Sequence, residues 1–146
     1  MSIEKELLTI VHSILSTDEV LLSMLAANYP MGKTSGQKDP IYSILPRSLA
    51  NTRTKPPFIV LEIVQTDRHD FRYSSVSYTV SVYLEQSSTT VKGYEILERV
   101  RTLLDEANLG ISGFVRNSYE TQIETMESEP LSMLYTTATY RAQFVR

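Results

Sequence analysis

The sequence predicts an α+β domain, with a mostly antiparallel sheet of about four to five strands and two main helices packed on one of its faces. Apolar residues recur at helical spacing near the N-terminus and again within residues 87–110. In residues 75–85, apolar and polar residues alternate, as in a strand that covers a core on one side only. The helical and strand segments fall into separate runs along the chain, which is typical of the α+β class.

The chain has the length of one ordinary domain, so we expect residues 1–146 to form a single domain with one core. Its 42% hydrophobic and 21% charged residues are ordinary for a globular protein and exclude a disordered or fibrous class. No stretch approaches the ~18 apolar residues that a membrane-spanning helix needs, and we expect no membrane association.

The chain begins with an amphipathic helix, whose apolar positions recur every three or four residues: Ile3, Leu7, Leu8, Val11, Ile14 and Leu15. Ser16 and Glu19 have the spacing of a capping box, in which the Ser16 side chain accepts from the N–H of Glu19. We therefore expect a second, short helix to begin there. Its expected buried positions are Val20, Leu21, Met24 and Leu25.

A long basic loop is predicted at residues 29–57, which are rich in Pro, Gly, Ser, Thr and Lys. It contains five basic residues against the single acidic residue Asp39, although the whole chain has a formal net charge of −3. This charge split favours an exposed segment that meets an acidic partner, but a solvated loop that collects basic residues has the same composition. The basic residues are Lys33, Lys38, Arg47, Arg53 and Lys55.

The motif Gly32-Lys33-Thr34 in this loop matches the end of a nucleotide-binding phosphate loop. Such a loop needs a glycine five residues earlier, and position 27 is Ala. It must also follow a strand and open a helix, whereas the preceding residues look helical. We interpret the motif as the start of the basic loop and expect no nucleotide cofactor.

A hairpin is predicted next, from a buried strand at residues 58–64, a connection at residues 65–70 and the alternating strand. We expect a bulge near Ser74 and Ser75, because the apolar residues before it have the opposite parity. The inward residues of the alternating strand are expected to be Val76, Tyr78, Val80, Val82 and Leu84.

The C-terminal part is predicted as a helix followed by two long strands, at residues 114–126 and 132–145. In the helix we expect Glu95 and Arg99 to form an ion pair, and residues 108–110 to supply left-handed backbone at its end. Its expected buried stripe is Tyr94, Leu97, Val100, Leu104 and Ala107, flanked by Ile96 and Leu103. In the last strand, the apolar residues at even-numbered positions share one face of the strand: Leu134, Ala138, Tyr140, Ala142 and Phe144.

Residues for catalysis or metal binding are few. The absence of Cys excludes disulfides, thiolate nucleophiles and sulfur-ligated zinc, and the two histidines, His12 and His69, lie far apart in sequence. Arg68-His69-Asp70 places an imidazole beside a carboxylate, but neighbouring residues in a turn point in different directions. Glu120 and Glu124 lie on the same face of a predicted strand, where two carboxylates could act together in acid–base chemistry. A solvated sheet face with no catalytic role would show the same pattern. We expect no catalytic site, metal or cofactor.

The order of segments resembles the family of phage tail terminator, or tail completion, proteins. The resemblance covers nearly the whole chain and rests on LSTDEVLLSML at residues 15–25, KPPFIVLEI at residues 55–63, the alternating strand SYTVSVYL, GYEILERVRTLLDE in the long helix, and the closing strand TTATYRAQFV. The loop at residues 29–57 is longer than the family pattern.

This resemblance implies a structural virion protein of the tail or neck, assembled in the host cytoplasm and not an enzyme. Its partners would be further copies of the chain in a hexameric ring, the major tail tube protein, and a head-tail connector or stopper protein, with DNA only passing through the lumen. We expect the contact residues in the basic loop and in the hairpin at Arg68, His69, Asp70 and Arg72. The alternative is a DNA-contacting head-completion or adaptor protein of the neck, with Tyr29 and Tyr42 as stacking surfaces.

Overall fold

A computed structural model describes residues 2–25, 41–42, 57–68, 72–85, 90–128 and 133–145. Within them the chain has the predicted α+β fold. Its elements are helix α1 (Ile3–Ser16), helix α2 (Glu19–Leu25), strand β1 (Ile41–Tyr42), strand β2 (Phe58–Arg68), strand β3 (Tyr73–Glu85), helix α3 (Thr90–Leu104), strand β4 (Phe114–Ser128) and strand β5 (Met133–Val145).

The strands form one sheet in the order β1-β2-β3-β5-β4. The short strand β1 runs parallel to β2, and the remaining neighbours are antiparallel. The central pair β3–β5 continues without a break from Tyr73 opposite Val145 to Glu85 opposite Met133. β2 and β4 therefore flank a regular two-stranded centre, and β4 is one edge of the sheet.

The helices cover one face of the sheet, with α1 on β2 and α3 on β3, β4 and β5. The alternation predicted for β3 is confirmed, because Val76, Tyr78, Val80, Val82 and Leu84 are all fully buried. In β5, Ala138, Tyr140, Ala142 and Phe144 are buried as predicted. A Cβ at Gly93 would lie 3.0 Å from side-chain atoms of both Leu84 and Thr136, so this glycine allows α3 to approach the sheet closely.

The capping box predicted at Ser16 is wrong. Ser16 is the last residue of α1, and it is Asp18 whose carboxylate accepts the N–H of Leu21, at 2.8 Å, in the first turn of α2. An N-cap carboxylate satisfies one of the free N–H groups at a helix start and interacts favourably with the helix dipole. Of the four positions of α2 predicted as buried, Leu21 and Leu25 are fully buried and Met24 is half-buried, whereas Val20 is 53% exposed.

Asp18 also joins α2 to α3. The guanidinium of Arg99 donates to both of its carboxylate oxygens, at 2.9 and 2.7 Å, so Arg99 pairs with Asp18 rather than with Glu95. The hydrogen bond to Arg99 holds the pKa of Asp18 below its ordinary value.

No described helix is long and apolar enough to cross a membrane alone. Taken together, α1 and α2 have the length and composition of a membrane-spanning segment, but the chain bends by 85° between them.

The bulge predicted near Ser74 and Ser75 lies instead at Val64 in β2, where the register shifts between Ile63 and Gln65. Among the described residues, β3 pairs with a strand on both sides, whereas β2 pairs at this position with β3 alone, so a bulge there interrupts one ladder of hydrogen bonds rather than two. Val64, predicted as part of a buried strand, is accordingly 60% exposed.

The end of α3 is anchored by the buried Asn117 of β4. Its amide donates to the carbonyl of Leu104 at 2.7 Å, and its side-chain oxygen accepts from the hydroxyl of Tyr78 at 2.8 Å. The first left-handed residue after the helix is Glu106 (φ 62°), whose N–H donates to the Asn117 carbonyl; Gly110 (φ 69°) follows, within the segment predicted from sequence. Tyr94, predicted as buried, is 37% exposed.

Candidate assembly interface

The interface residues predicted from the sequence are described in part. Arg68 is the last residue of β2 and Arg72 directly precedes β3, and both side chains are exposed. The hairpin thus brings these two cations to the same end of the sheet, where Arg68 lies opposite Ser74. The other predicted residues lie outside the described part of the chain: Lys33, Lys38, Arg47, Arg53, Lys55, His69 and Asp70.

The sheet face opposite the helices, called the open face here, carries the residues that alternate with the buried core positions. Its central row runs across four strands through Glu62, Thr79, Thr139 and Thr121. Thr79 and Thr139 are half-buried, whereas Glu62 and Thr121 at the two ends of the row are exposed. This part of the open face therefore offers hydroxyl groups and a carboxylate.

An aromatic row crosses the open face at its other end. Phe58, Tyr83 and Tyr135 are cross-strand neighbours, and their rings stack with centroids 5.2 Å apart at both contacts. Phe58 is fully buried and Tyr83 nearly so, together with Val60 and Met133. Burial, and secondarily the Glu62 carboxylate, raises the pKa of Tyr83 to about 12, so its hydroxyl stays neutral at physiological pH.

Both arginines of the open face are bound to groups of the same chain. Arg141 donates to the Ser75 hydroxyl at 3.1 Å and lies 3.8 Å from the Glu120 carboxylate. Arg116 is held by Glu106, with its Nε atom 2.9 Å from both carboxylate oxygens. The hydrogen bond to Glu106 raises the pKa of Arg116. The described parts of the strands contain no lysine, and their third arginine, Arg68, pairs with Ser74 and so has the parity of the helix-covered face. The positive charges of the open face are therefore few and compensated.

The two long flanking strands each present an exposed valine where the register shifts. Val64 of β2 is 60% exposed, and Val115 of β4, between Phe114 and Arg116, is 54% exposed. β4 has two further register shifts, between Tyr119 and Thr121 and between Ile123 and Met126. Bulges of this kind at sheet edges hinder the addition of another strand through backbone hydrogen bonds and re-aim side chains.

For metal binding and acid–base chemistry, the described residues offer little. They contain no group of three or more His, Cys, Asp and Glu side chains that could hold a metal ion. His12 is a half-buried residue of α1, and Glu120 lies next to Arg141. The His69 and Asp70 side chains and that of Glu124 are not described.

The residues that sequence reasoning missed are Val64 and Asp67 in β2 and Val115 and Arg116 in the edge strand β4. Val64, Val115 and Arg116 are exposed and Asp67 is half-buried. Which face each one takes depends on where the register shifts, which is a property of strand pairing and has no local signature. The charged residues Arg116 and Glu120 indicate a solvated strand face in the sequence, but they do not identify an edge strand.

Comparison with known proteins identifies no matching family model and no matching curated protein. Among solved structures, a chain of the "Virion of native gene transfer agent (GTA) particle" is similar to this one, with a TM-score of 0.64. The sequences are 15% identical, and the alignment covers 93% of this chain and 92% of the other. At this identity the likeness shows the fold, and it shows that the fold extends over nearly the whole of both chains.

Proposed function

We propose that this protein is a structural virion component of the tail terminator type. It forms a ring, typically a hexamer, that caps the head-proximal end of the tail tube, stops its polymerisation and joins it to the head connector. The observation that carries this proposal is the fold shared with a virion chain over 93% of the sequence, which agrees with the segment pattern of the tail terminator family.

The chemistry of the open face supports a non-enzymatic role in which DNA only passes through the lumen. Arg116 and Arg141 are compensated by Glu106 and Glu120, and the described strand segments contain no lysine. Free cations would bind phosphates in a salt-dependent way and retain DNA, whereas hydroxyls and carboxylates do not. A surface of this kind is therefore suited to a channel wall.

The assembly test uses size-exclusion chromatography with light scattering, with and without purified tail tubes. The proposal expects rings in solution or chains bound at tube ends, and tube growth that stops when the protein is added to polymerising tube subunits. A chain that stays monomeric and leaves tube growth unchanged would contradict it.

The basic loop is the proposed contact to an acidic neighbour, the tube or the connector. We expect charge reversal at Lys33, Lys38, Arg53 and Lys55 together to weaken assembly while shifting the melting temperature little, because exposed charges contribute little to stability. Reversal of Lys5 and Lys92, two lysines outside the loop, is the control and should leave assembly unchanged. Unchanged assembly of the loop variant would remove this contact from the proposal.

The second candidate is a DNA-contacting adaptor of the neck, favoured by the five basic residues of the loop at 29–57. It predicts a DNA affinity that falls steeply with salt, because each phosphate contact releases a counterion. Titration of duplex DNA at low and at physiological salt separates the two functions: the terminator binds weakly at both, and the adaptor binds tightly at low salt.

A further inference from the structure

We infer that copies of this chain join edge to edge, with the β2 edge of one copy against the β4 edge of the next, through an Asp67–Arg116 pair and the two exposed valines. This inference rests on the proposed ring and assigns the surface that closes it. The described strand β1 pairs with β2 only at Ile59 and Val60, so the β2 edge meant here is the part of β2 beyond Val60. β4 is the opposite edge of the sheet, so each copy contributes one edge to each of two neighbours. A contact of this type is heterologous, and it generates a ring when the rotation closes.

The charges of the two edges are complementary and lie in the same cross-strand row. Asp67 lies opposite Ser75, Ser75 opposite Gln143, and Gln143 opposite Arg116. The row thus begins with a carboxylate at one edge and ends with a guanidinium at the other. Two copies placed side by side at equal height bring the Asp67 of one to the Arg116 of the other.

The two charged groups have hydrogen-bonding capacity left for this contact. Gln65 donates to one oxygen of Asp67, at 2.6 Å, and this orients the carboxylate. Arg116 uses its Nε and Nη2 atoms for Glu106, and the remaining guanidinium hydrogens can bind a second carboxylate. The side chain of Arg116 is 57% exposed, so a neighbouring copy can reach it.

The next row is compatible with the same alignment. It ends with Glu62 at the β2 edge and with Thr121 at the β4 edge, so a carboxylate meets a hydroxyl donor. Val64 and Val115 add exposed apolar surface close to these rows, which contact between copies would bury. Since both edges contain bulges, the contact is made by side chains rather than by a continued backbone ladder.

The dimensions fit a channel for DNA. At the level of the Asp67–Arg116 row, beyond the end of β1, the sheet has four antiparallel strands about 4.8 Å apart. With strands along the ring axis, they give each copy roughly 20 Å of circumference, so six copies enclose roughly 40 Å between backbones. That width holds side chains on both walls and a duplex between them.

The test exploits the fact that each copy uses both edges. In Asp67→Arg both edges are basic, and in Arg116→Asp both are acidic, so either variant alone meets like charge at every contact. We expect each to need a concentration about tenfold higher or more for assembly, because facing like charges are strongly unfavourable at an interface. Mixed in equal amounts, the two variants alternate around the ring, opposite charges meet at every contact, and assembly should recover.

Both chains in the mixture still carry their substitution, so assembly lost through damage to the fold would not recover on mixing. Recovery would therefore show that the loss came from the facing charges. Melting curves of the two variants check that both are folded. Val64→Ser and Val115→Ser are also expected to weaken assembly, whereas Val20→Ser, at an equally exposed valine of α2, is the matched control and should not.

A second approach does not need the charged variants to be stable. The chain contains no cysteine, so Asp67→Cys with Arg116→Cys introduces the only thiols. The two positions lie roughly 14 Å apart in one copy, at three strand spacings, too far for a disulfide or a short cross-linker within the chain. The Asp–Arg pair holds the two backbones farther apart than a disulfide allows, so a short bismaleimide is used to join the thiols. It should produce a ladder of linked chains ending at the ring size, whereas each single-cysteine variant links at most two chains.

The outcomes separate this inference from the proposed function. Rings that form equally well from wild type and from each charge variant, without a ladder of cross-linked chains, overturn the edge contact and leave the terminator proposal intact. A wild-type chain that never assembles, alone or on tail tubes, overturns both.

Discussion

Replacing the buried Asn117 with leucine tests how the end of α3 is attached to the sheet. Asn117→Leu keeps a side chain of similar size but removes the amide that binds the Leu104 carbonyl and the oxygen that binds the Tyr78 hydroxyl. Asn117, Tyr78 and Leu104 are all fully buried, so water does not replace the lost partners.

The expected loss of stability follows from the two buried groups that lose their hydrogen-bond partner, the Leu104 carbonyl and the Tyr78 hydroxyl. Each buried polar group without a partner costs about 1–3 kcal/mol, so the free energy of unfolding should fall by about 2–6 kcal/mol. That is a large share of the roughly 5–15 kcal/mol available to a domain of this size. Equilibrium urea unfolding of both proteins, with a check that the m-value is unchanged, measures the difference.

A double-mutant cycle with Tyr78→Phe identifies the hydrogen bond itself. In the wild-type background Tyr78→Phe removes one partner of Asn117 and should cost about 1–2 kcal/mol. In the Asn117→Leu background, Tyr78→Phe removes a hydroxyl that already lacks its hydrogen-bond partner, so the second substitution should cost nothing or stabilise the protein. A cost below about 1 kcal/mol for Asn117→Leu, or an equal cost of Tyr78→Phe in both backgrounds, would contradict the anchoring role of Asn117.

Two further predictions concern stability. Tyr140→Phe should be neutral or stabilising by urea unfolding, because the Tyr140 hydroxyl is buried with no hydrogen-bond partner, and a cost above about 1 kcal/mol would mean that it is satisfied after all. Asp18→Asn keeps an N-cap side chain but loses the ion pair with Arg99 and should destabilise the protein at neutral pH. The Arg99 hydrogen bond lowers the pKa of folded Asp18, so this contribution is complete above the unfolded-state pKa of about 4 and is lost as pH falls through the lower folded value. The stability difference between wild type and Asp18→Asn should therefore shrink below about pH 4, and a difference that stays constant with pH would contradict the ion pair.

The parts of the fold that follow from local periodicity could be predicted from the sequence. The spacing of Leu7, Val11 and Leu15 determines which side of α1 is buried, and the alternation from Val76 to Leu84 gives the inward face of β3. Both are set by the geometry of single elements, in which side chains repeat every 3.6 or every two residues.

Contacts between distant segments could not be predicted in this way. Arg99 binds Asp18, 81 positions earlier, rather than Glu95 one helical turn away, because the packing of α2 on α3 brings the carboxylate to it. The position of the bulge at Val64 likewise depends on the order of the strands in the sheet, and no local sequence pattern predicts that order. The same holds for the candidate interface, because Asp67 and Arg116 share a row only through the pairing of four strands.

The most direct test of the proposed function is negative-stain electron microscopy of the purified protein, alone and mixed with tail tubes. We expect sixfold rings, with a channel along the axis, that bind at one end of the tubes. Particles of monomer size only, with bare tube ends in the mixture, would contradict it.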